Sequence, residues 1–297
     1  MTMPKVSVLM PIWNTQEEYL REAIESILTQ RYRDFEFLIL NDSPENTALD
    51  AIVASYADER ISYYRNDKNM GITPSRNKLL QLAKGEYIAI FDHDDVSLPE
   101  RLERQVAFLD AHPEVGVLGT GIREIPSGRE VHYPVDNEEI RMGLMWGCVV
   151  AHSAAMVRAS VLRESGIRYE EKFSPSEDYA LWCRLVPHTR FYNLPEVLLL
   201  YRFHAGNTSK GQAQKMKHAT YAIRAFVEAD NPALYREYLS RAEHVTRIRL
   251  FGFIPLLTFR KKAIERKFIF LRACYSTPVR LSLKCGGNES ERRLKEL

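Results

Sequence analysis

The sequence predicts an α/β fold: a doubly wound, mostly parallel sheet with helices on both faces, followed by a helical, basic C-terminal extension. Three observations predict it. Short apolar runs alternate with helical patterns through residues 1–118, as expected of βαβ units. Polar and acidic residues follow those runs, at what would be the carboxyl edge of the sheet, where open α/β sheets bind ligands. The charge is also divided. Arg247 to Lys284 holds ten basic residues and one acid, Glu265, a balance of +9, so a chain of net charge +2 carries −7 elsewhere. An acidic body with a basic tail suggests two jobs in two places.

The elements follow in order. Lys5–Met10 (KVSVLM) reads as a buried strand. Thr15-Gln16-Glu17-Glu18 has the form of a capping box, and Leu20, Ile24, Ile27 and Leu28 continue it at helical spacing. Phe35–Leu40 is a strand, Leu49–Tyr56 a helix, Ile61–Arg65 a strand and Pro74–Ala83 a helix. Glu86–Phe91 is a strand, Pro99–Ala111 a helix and Val115–Leu118 a strand. Residues 119–200 are less regular. Ser174-Pro175-Ser176-Glu177 reads as a helix start, with Ser174 as cap, and the helix runs to Val186. A strand at Glu196–Phe203 and a helical stretch at Gln212–Ala242 follow. We expect a catalytic domain over residues 1–210, divided near 118, and a separate C-terminal region over 211–297.

Composition excludes several classes. The 297 residues can bury a sizeable core, and a hydrophobic fraction of 45% is ordinary for a globular chain. Cys148, Cys183, Cys274 and Cys285 lie far apart and form no CxxC pair, so reduced thiols are expected rather than a zinc ribbon or disulfide scaffold. No export signal and no transmembrane run is expected. GxxxxGK[ST] and GxSxG are absent, and Gly119-Thr120-Gly121 lacks the third glycine of a dinucleotide fingerprint.

The acidic run Asp92-His93-Asp94-Asp95 follows an apolar strand. Side chains alternate in an extended segment, so Asp92 and Asp94 share a side and repel unless a cation lies beside them. Mg²⁺ or Mn²⁺ takes few carboxylates and fills its shell with water and phosphate oxygens, which makes a metal–diphosphate site one reading. An acidic turn capping the next helix is the other. Asp178 projects from a first helical turn: it is either a general base towards a hydroxyl or a carboxylate on the helix dipole, which would keep it ionised. Asp42 could accept from a nucleobase or ribose, or close an Asx turn with Ser43-Pro44. Arg76 could bind a phosphate or lie on a solvated helix face. His204 could ligate a metal or be structural. Trp146, His152 and Trp182 could stack on an acceptor sugar, with core packing the alternative for Trp182.

Seven segments in order carry a resemblance: KVSVLMPIWN at the start, DFEFLILND at 34–42, NMGITPSRN at 69–77, GEYIAIFDHDD at 85–95, SLPERLERQ at 97–105, SEDYALWCRL at 176–185 and YRFHAGNTS at 201–209. Over about residues 4–210 the chain resembles the GT-A-fold family 2 glycosyltransferases. The resemblance implies a nucleotide-sugar donor, with UDP as the expected nucleotide, and Mn²⁺ or Mg²⁺. It implies Pro11 and Asn14 near the nucleotide, Asp42 at the base and Arg76 at the diphosphate. Asp94 would hold the metal, with Asp92 at ribose or a metal water and His204 near metal or phosphate. Asp178 would be the base of an inverting single displacement. The family's usual Asp-Asp-Gly-Ser stands here as Asn41-Asp42-Ser43-Pro44, which leaves the base and ribose contacts open. The acceptor would be a glycan or lipid-linked saccharide in surface polysaccharide or lipopolysaccharide synthesis. The basic, aromatic-rich tail would then lie on an anionic membrane at the cytoplasmic face, unless it packs on the catalytic domain. Nothing upstream supports nucleic acid as a partner. Rival readings are a sugar nucleotidyltransferase, which would want a glycine- and arginine-rich triphosphate loop near Pro11–Thr15, and a non-catalytic carbohydrate- or lipid-binding module.

Overall fold

The computed structural model describes residues 3–204, 207 and 211–237. The chain divides into two units, Met1–Glu243 and His244–Leu297, and the second lies outside the described residues together with the basic tail. The first unit opens with four βα or strand repeats: β1 (Val6–Ile12), α1 (Glu17–Leu28), β2 (Phe35–Asn41), α2 (Thr47–Ala54), β3 (Ile61–Arg65), α3 (Ile72–Leu82) and β4 (Tyr87–Ile90). There follow β5 (Val96–Ser97), α4 (Arg101–Ala111), β6 (Val115–Ile125), β7 (Glu130–Val131), α5 (Asn137–Leu144), β8 (Met156–Arg158), α6 (Ala159–Ser165), α7 (Glu177–Leu185), β9 (Arg190–Arg202) and α8 (Ala213–Asp230).

Among the described residues these strands form one sheet in the order β3-β2-β1-β4-β8-β6-β9-β5, with β7 paired to β6. The β1–β2, β2–β3, β1–β4 and β6–β9 pairs are parallel. The pairs made by β8, β5 and β7 are antiparallel. Every residue of β1 is buried, so both faces of the sheet are covered there. Pro11 is tolerated in this central strand because β4 pairs only as far as Leu9.

The α/β fold and its parallel first half are as expected. Five elements were not read from the sequence: β5, β7, β8, α5 and α6. The three strands hold two or three residues each, too short for a period to show. β6 and β9 run further than expected, to Ile125 and from Arg190. Two expected helix caps are also not made. Thr15 does not cap α1; its hydroxyl lies 3.0 Å from His93 Nδ1, and Gln16 stands at the cap without a side-chain bond. α7 starts at Glu177 rather than Pro175, with Ser176 at the cap and no side-chain cap bond. Glu177 therefore needs another explanation than a capping box. Within the C-terminal region, α8 packs on the neighbourhood of α7, with Phe226 5.5 Å from Phe173. The stretch expected to be helical to Ala242 is interrupted at Asn231, which ends α8; helix resumes over 232–237, and the remainder lies outside the described residues.

Candidate functional site

The site grows from the strand exits at the carboxyl edge. β1 ends in Trp13, which is 54% exposed, and Asn14, which takes a left-handed φ of 44°. Asparagine accepts that conformation more readily than most residues. The Asn14 amide donates to Ser43 Oγ at 2.8 Å, which joins the β1 and β2 exits. At the β2 exit the Asx turn belongs to Asn41, not Asp42: Asn41 Oδ1 accepts from the Ser43 amide at 2.7 Å.

Asp42 is buried and gathers the loop before α3. Its Oδ1 accepts from Asn66 Nδ2 at 2.7 Å and the Met70 amide at 2.8 Å, while Oδ2 accepts from the Gly71 amide at 2.8 Å. Gly71 has φ 86°, a conformation costly for a residue with a Cβ, so a glycine is needed where the loop turns into α3.

Arg76 is the hub. It is not a solvated helix-face residue; its side chain is 13% exposed. Nη2 donates to Asp92 Oδ1 at 3.1 Å and Nη1 to Glu177 Oε1 at 2.7 Å. One guanidinium thus joins the β4 exit to the start of α7, residues far apart in the chain. The Tyr169 ring lies 5.7 Å from its centre. Burial opposes the charge on Arg76, but Asp92 and Glu177, with Tyr169 and Asp178, hold its pKa above the ordinary value.

Glu177 is therefore the counter-ion of Arg76. Its neighbour Asp178 is half-buried in the first turn of α7. Burial pushes the Asp178 pKa up to about 6, and the Glu177 charge adds to this; Arg76 and the Tyr179 amide, which donates to Oδ1 at 2.7 Å, work against it. Desolvation therefore outweighs the helix terminus and lifts Asp178 above an ordinary aspartate, while leaving it mainly ionised at neutral pH. A carboxyl of that pKa is a usable base near neutral pH.

The acidic run divides its work. The Asp92 amide donates to Ser153 Oγ at 3.1 Å. Asp94 Oδ2 lies 2.9 Å from His204 Nε2, and both side chains are partly exposed. Asp95 is buried, and its Oδ1 accepts from the Arg202 amide at 2.9 Å. Burial, then the charges of Asp94 and Asp92, raise its pKa well above the ordinary aspartate value. Among the described residues no group of three or more His, Cys, Asp or Glu is arranged to hold a metal by itself. The Asp94–His204 pair nevertheless supplies an oxygen and a nitrogen side by side. That fits a hard divalent ion that draws its other ligands from water and phosphate.

The expected acceptor residues fare differently. Trp182 is wholly buried and His152 is 8% exposed, so neither presents a ring face to a sugar. Trp182 packs in the core, and its ring centre lies 5.9 Å from that of His152. His152 Nε2 sits 2.8 Å from the Tyr169 hydroxyl, and burial, with Arg76 nearby, lowers its pKa to about 3. Burial thus disfavours its charged form, and its ring is turned to Tyr169 and Trp182. Trp146 is half-buried under Arg224 of α8, 5.9 Å away. A cavity of about 470 Å³ opens beside Tyr169, lined also by Thr73, Pro74, Asn77, Glu170, Glu171 and Lys172.

The structure thus brings Asp92, Glu177 and Asp178 to the Arg76 guanidinium, while Asp94, on the same β4 exit as Asp92, meets His204 from the end of β9. Asn14 and Asp42 lie on the adjoining exits. Glu177, Tyr169, Ser153 and Arg202 were missed as site residues. Of these, Glu177 and Arg202 lay inside the quoted segments, beside Asp178 and two residues before His204. Nothing in the sequence marked Tyr169 or Ser153.

Comparison with known proteins follows the same outline. Residues 7–166 match a family model described as "Glycosyl transferase family 2". A putative glycosyltransferase, EpsE, of Bacillus subtilis is 36% identical over 74% of this chain and 78% of its own length. The O-antigen biosynthesis glycosyltransferase WbnJ of Escherichia coli is 32% identical over 75% of this chain and 89% of its own. Among solved structures, S. aureus TarS 1-349 in complex with UDP-GlcNAc superposes with a TM-score of 0.64 at 21% identity, covering 91% of this chain and 81% of that one. This chain spans 43% of the longer TarS chain. The mannosyltransferase PcManGT from Pyrobaculum calidifontis, in complex with GDP-Man and Mn²⁺, superposes with a TM-score of 0.55 at 16% identity, over 90% of this chain and 81% of that one.

Proposed function

Because the chain belongs to glycosyl transferase family 2, we propose that it moves a sugar from a UDP-sugar to a hydroxyl of a glycan or lipid-linked saccharide, with inversion, in the synthesis of a surface polysaccharide or lipopolysaccharide. The observation that carries this reading is the Arg76 bridge, which brings the acidic strand exit and the base candidate Asp178 to one place. A UDP nucleotide suits the β1–β2 exits. Asp42 Oδ2 has one donor, Gly71, and an acceptor position left for one more, as a uracil imide offers. Trp13 stands exposed at the β1 exit, which the Asn14–Ser43 bond ties to the β2 exit, and offers a stacking surface. The relatives support the polysaccharide context, since WbnJ is an O-antigen enzyme.

Asp178 takes the proton from the acceptor hydroxyl as that oxygen attacks the anomeric carbon, and the bond to the nucleoside diphosphate breaks on the opposite face. Arg76 lies where charge grows on the leaving diphosphate. Asp94 and His204 would hold Mn²⁺ or Mg²⁺, with Asp92 close by; the ion, when bound, offsets diphosphate charge. The cavity beside Tyr169 is the room available for a saccharide. Residues 1–210 form the catalytic part in this reading.

Release of UDP from a panel of UDP-sugars, with Mn²⁺ and a mixed acceptor pool, tests it. One donor should give acceptor-dependent UDP, and Asp94→Ala should abolish the response to Mn²⁺. Acceptor-dependent UDP release that keeps its metal response in Asp94→Ala would remove the metal role. The protein is also proposed to lie peripherally on the inner membrane face through its tail, whose basic residues stand among apolar and aromatic ones. Removing residues 247–297 should weaken sedimentation with anionic vesicles, and undiminished sedimentation would refute the tail's role.

A further inference from the structure

We propose that Arg202 is a positioning residue that fixes Asp94 against His204 and thereby sets the affinity for a divalent cation; the proposal rests on the cation reading above. Arg202 closes β9 and binds three segments at once. Its amide donates to Asp95 Oδ1 at 2.9 Å and its Nε donates to the Asp94 carbonyl at 2.8 Å. Its Nη2 donates to Glu22 of α1, and the guanidinium lies 4.3 Å from the centre of the Tyr19 ring, also on α1. His204 also neighbours that ring, 5.5 Å away. The carbonyl of Arg202 accepts from Asn207 Nδ2 at 3.0 Å, and Asn207 Oδ1 accepts from the His204 amide.

This arrangement holds both candidate ligands through their backbones. A cation entering between Asp94 Oδ2 and His204 Nε2 breaks the contact they now share at 2.9 Å. Their separation then depends on what holds their peptides. The Asp94 peptide follows a strand of four residues and an acidic turn, so it has little ladder support of its own. Arg202 supplies it, and the same side chain packs on the wall shared with His204. Only a planar guanidinium can bond a carbonyl and a carboxylate in different directions while laying its face on a ring. Lysine offers one point charge.

Titration with Mn²⁺ under saturating UDP, followed by the electron paramagnetic resonance of free Mn²⁺, tests this on the full chain. Arg202→Lys should bind Mn²⁺ about tenfold to a hundredfold more weakly than wild type, the usual effect of losing an outer-shell partner. Glu22→Gln, at an exposed position, should lose less, in the same direction. The melting temperature of Glu22→Gln in EDTA should stay close to wild type, which separates positioning from general damage. Wild-type Mn²⁺ affinity in both variants would overturn the role of Arg202 alone. A wild-type protein that binds no Mn²⁺ with UDP present would overturn the cation reading and this one together.

Discussion

Asp178→Asn is expected to lose roughly a hundredfold to ten-thousandfold in kcat/KM, the usual contribution of a positioned general base, and yet to melt at a higher temperature than wild type at pH 7.5. The second effect follows from the sign of the pKa shift. Burial raises the Asp178 pKa from 3.8 to about 6 in the folded protein, so the folded state binds the proton more tightly than the unfolded one. Stability is therefore lost as pH rises from about 4 to about 6 and stays lost above that. A shift of this size corresponds at most to about 3 kcal/mol, and the opening of the carboxyl to solvent reduces it to about 1–2 kcal/mol. An uncharged isostere recovers this amount, roughly 2–8 °C in melting temperature for a chain of this size. The gain should disappear below pH 4, where wild-type Asp178 is protonated in both states. Thermal melts of both proteins at pH 4 and pH 7.5 measure it. An equal difference at the two pH values would mean that Asp178 is an ordinary surface carboxylate.

Arg76→Met should be the most destabilising single change in the site. It leaves Glu177, 5% exposed, and Asp92, 28% exposed, without the cation that joins them. Removing one partner of a buried ion pair costs about 3–5 kcal/mol, whereas replacing both partners by apolar groups is often neutral. Arg76→Met with Glu177→Met should therefore recover much of the stability lost in Arg76→Met, while neither protein transfers sugar. Urea unfolding gives the stabilities. A double variant no more stable than the single one would mean that Arg76 acts through something other than this pair.

The fold was legible where the chain repeats one physical unit. A buried parallel strand reads as an unbroken apolar run, and KVSVLM, FEFLIL and EYIAIF are such runs. β8 escaped because three residues, Met156–Arg158, carry no period, although β8 joins β4 to β6 and so holds the two halves of the sheet together. The site was legible as residue types at strand exits. What the sequence could not show is which side chains meet across the chain. Glu177 had a complete local explanation as a capping residue, and its true partner is 101 residues away. Thr15 likewise had a local role on paper and a distant partner, His93, in the fold. Trp182 and His152 differ from exposed aromatics only in burial, which tertiary packing decides. The environment of Asp178 is of the same kind, since desolvation belongs to the folded cleft rather than to its helix.

The pH dependence of kcat/KM for UDP release tests most directly whether transfer takes place at the Arg76 cleft with Asp178 as base, because that ratio reports the free enzyme's titrating groups. The wild-type rate should fall with an acid limb near pH 6, as the base becomes protonated, and Glu177→Gln should move the limb lower by removing the adjacent negative charge. A limb near pH 4 in wild type, unmoved in Glu177→Gln, would contradict it.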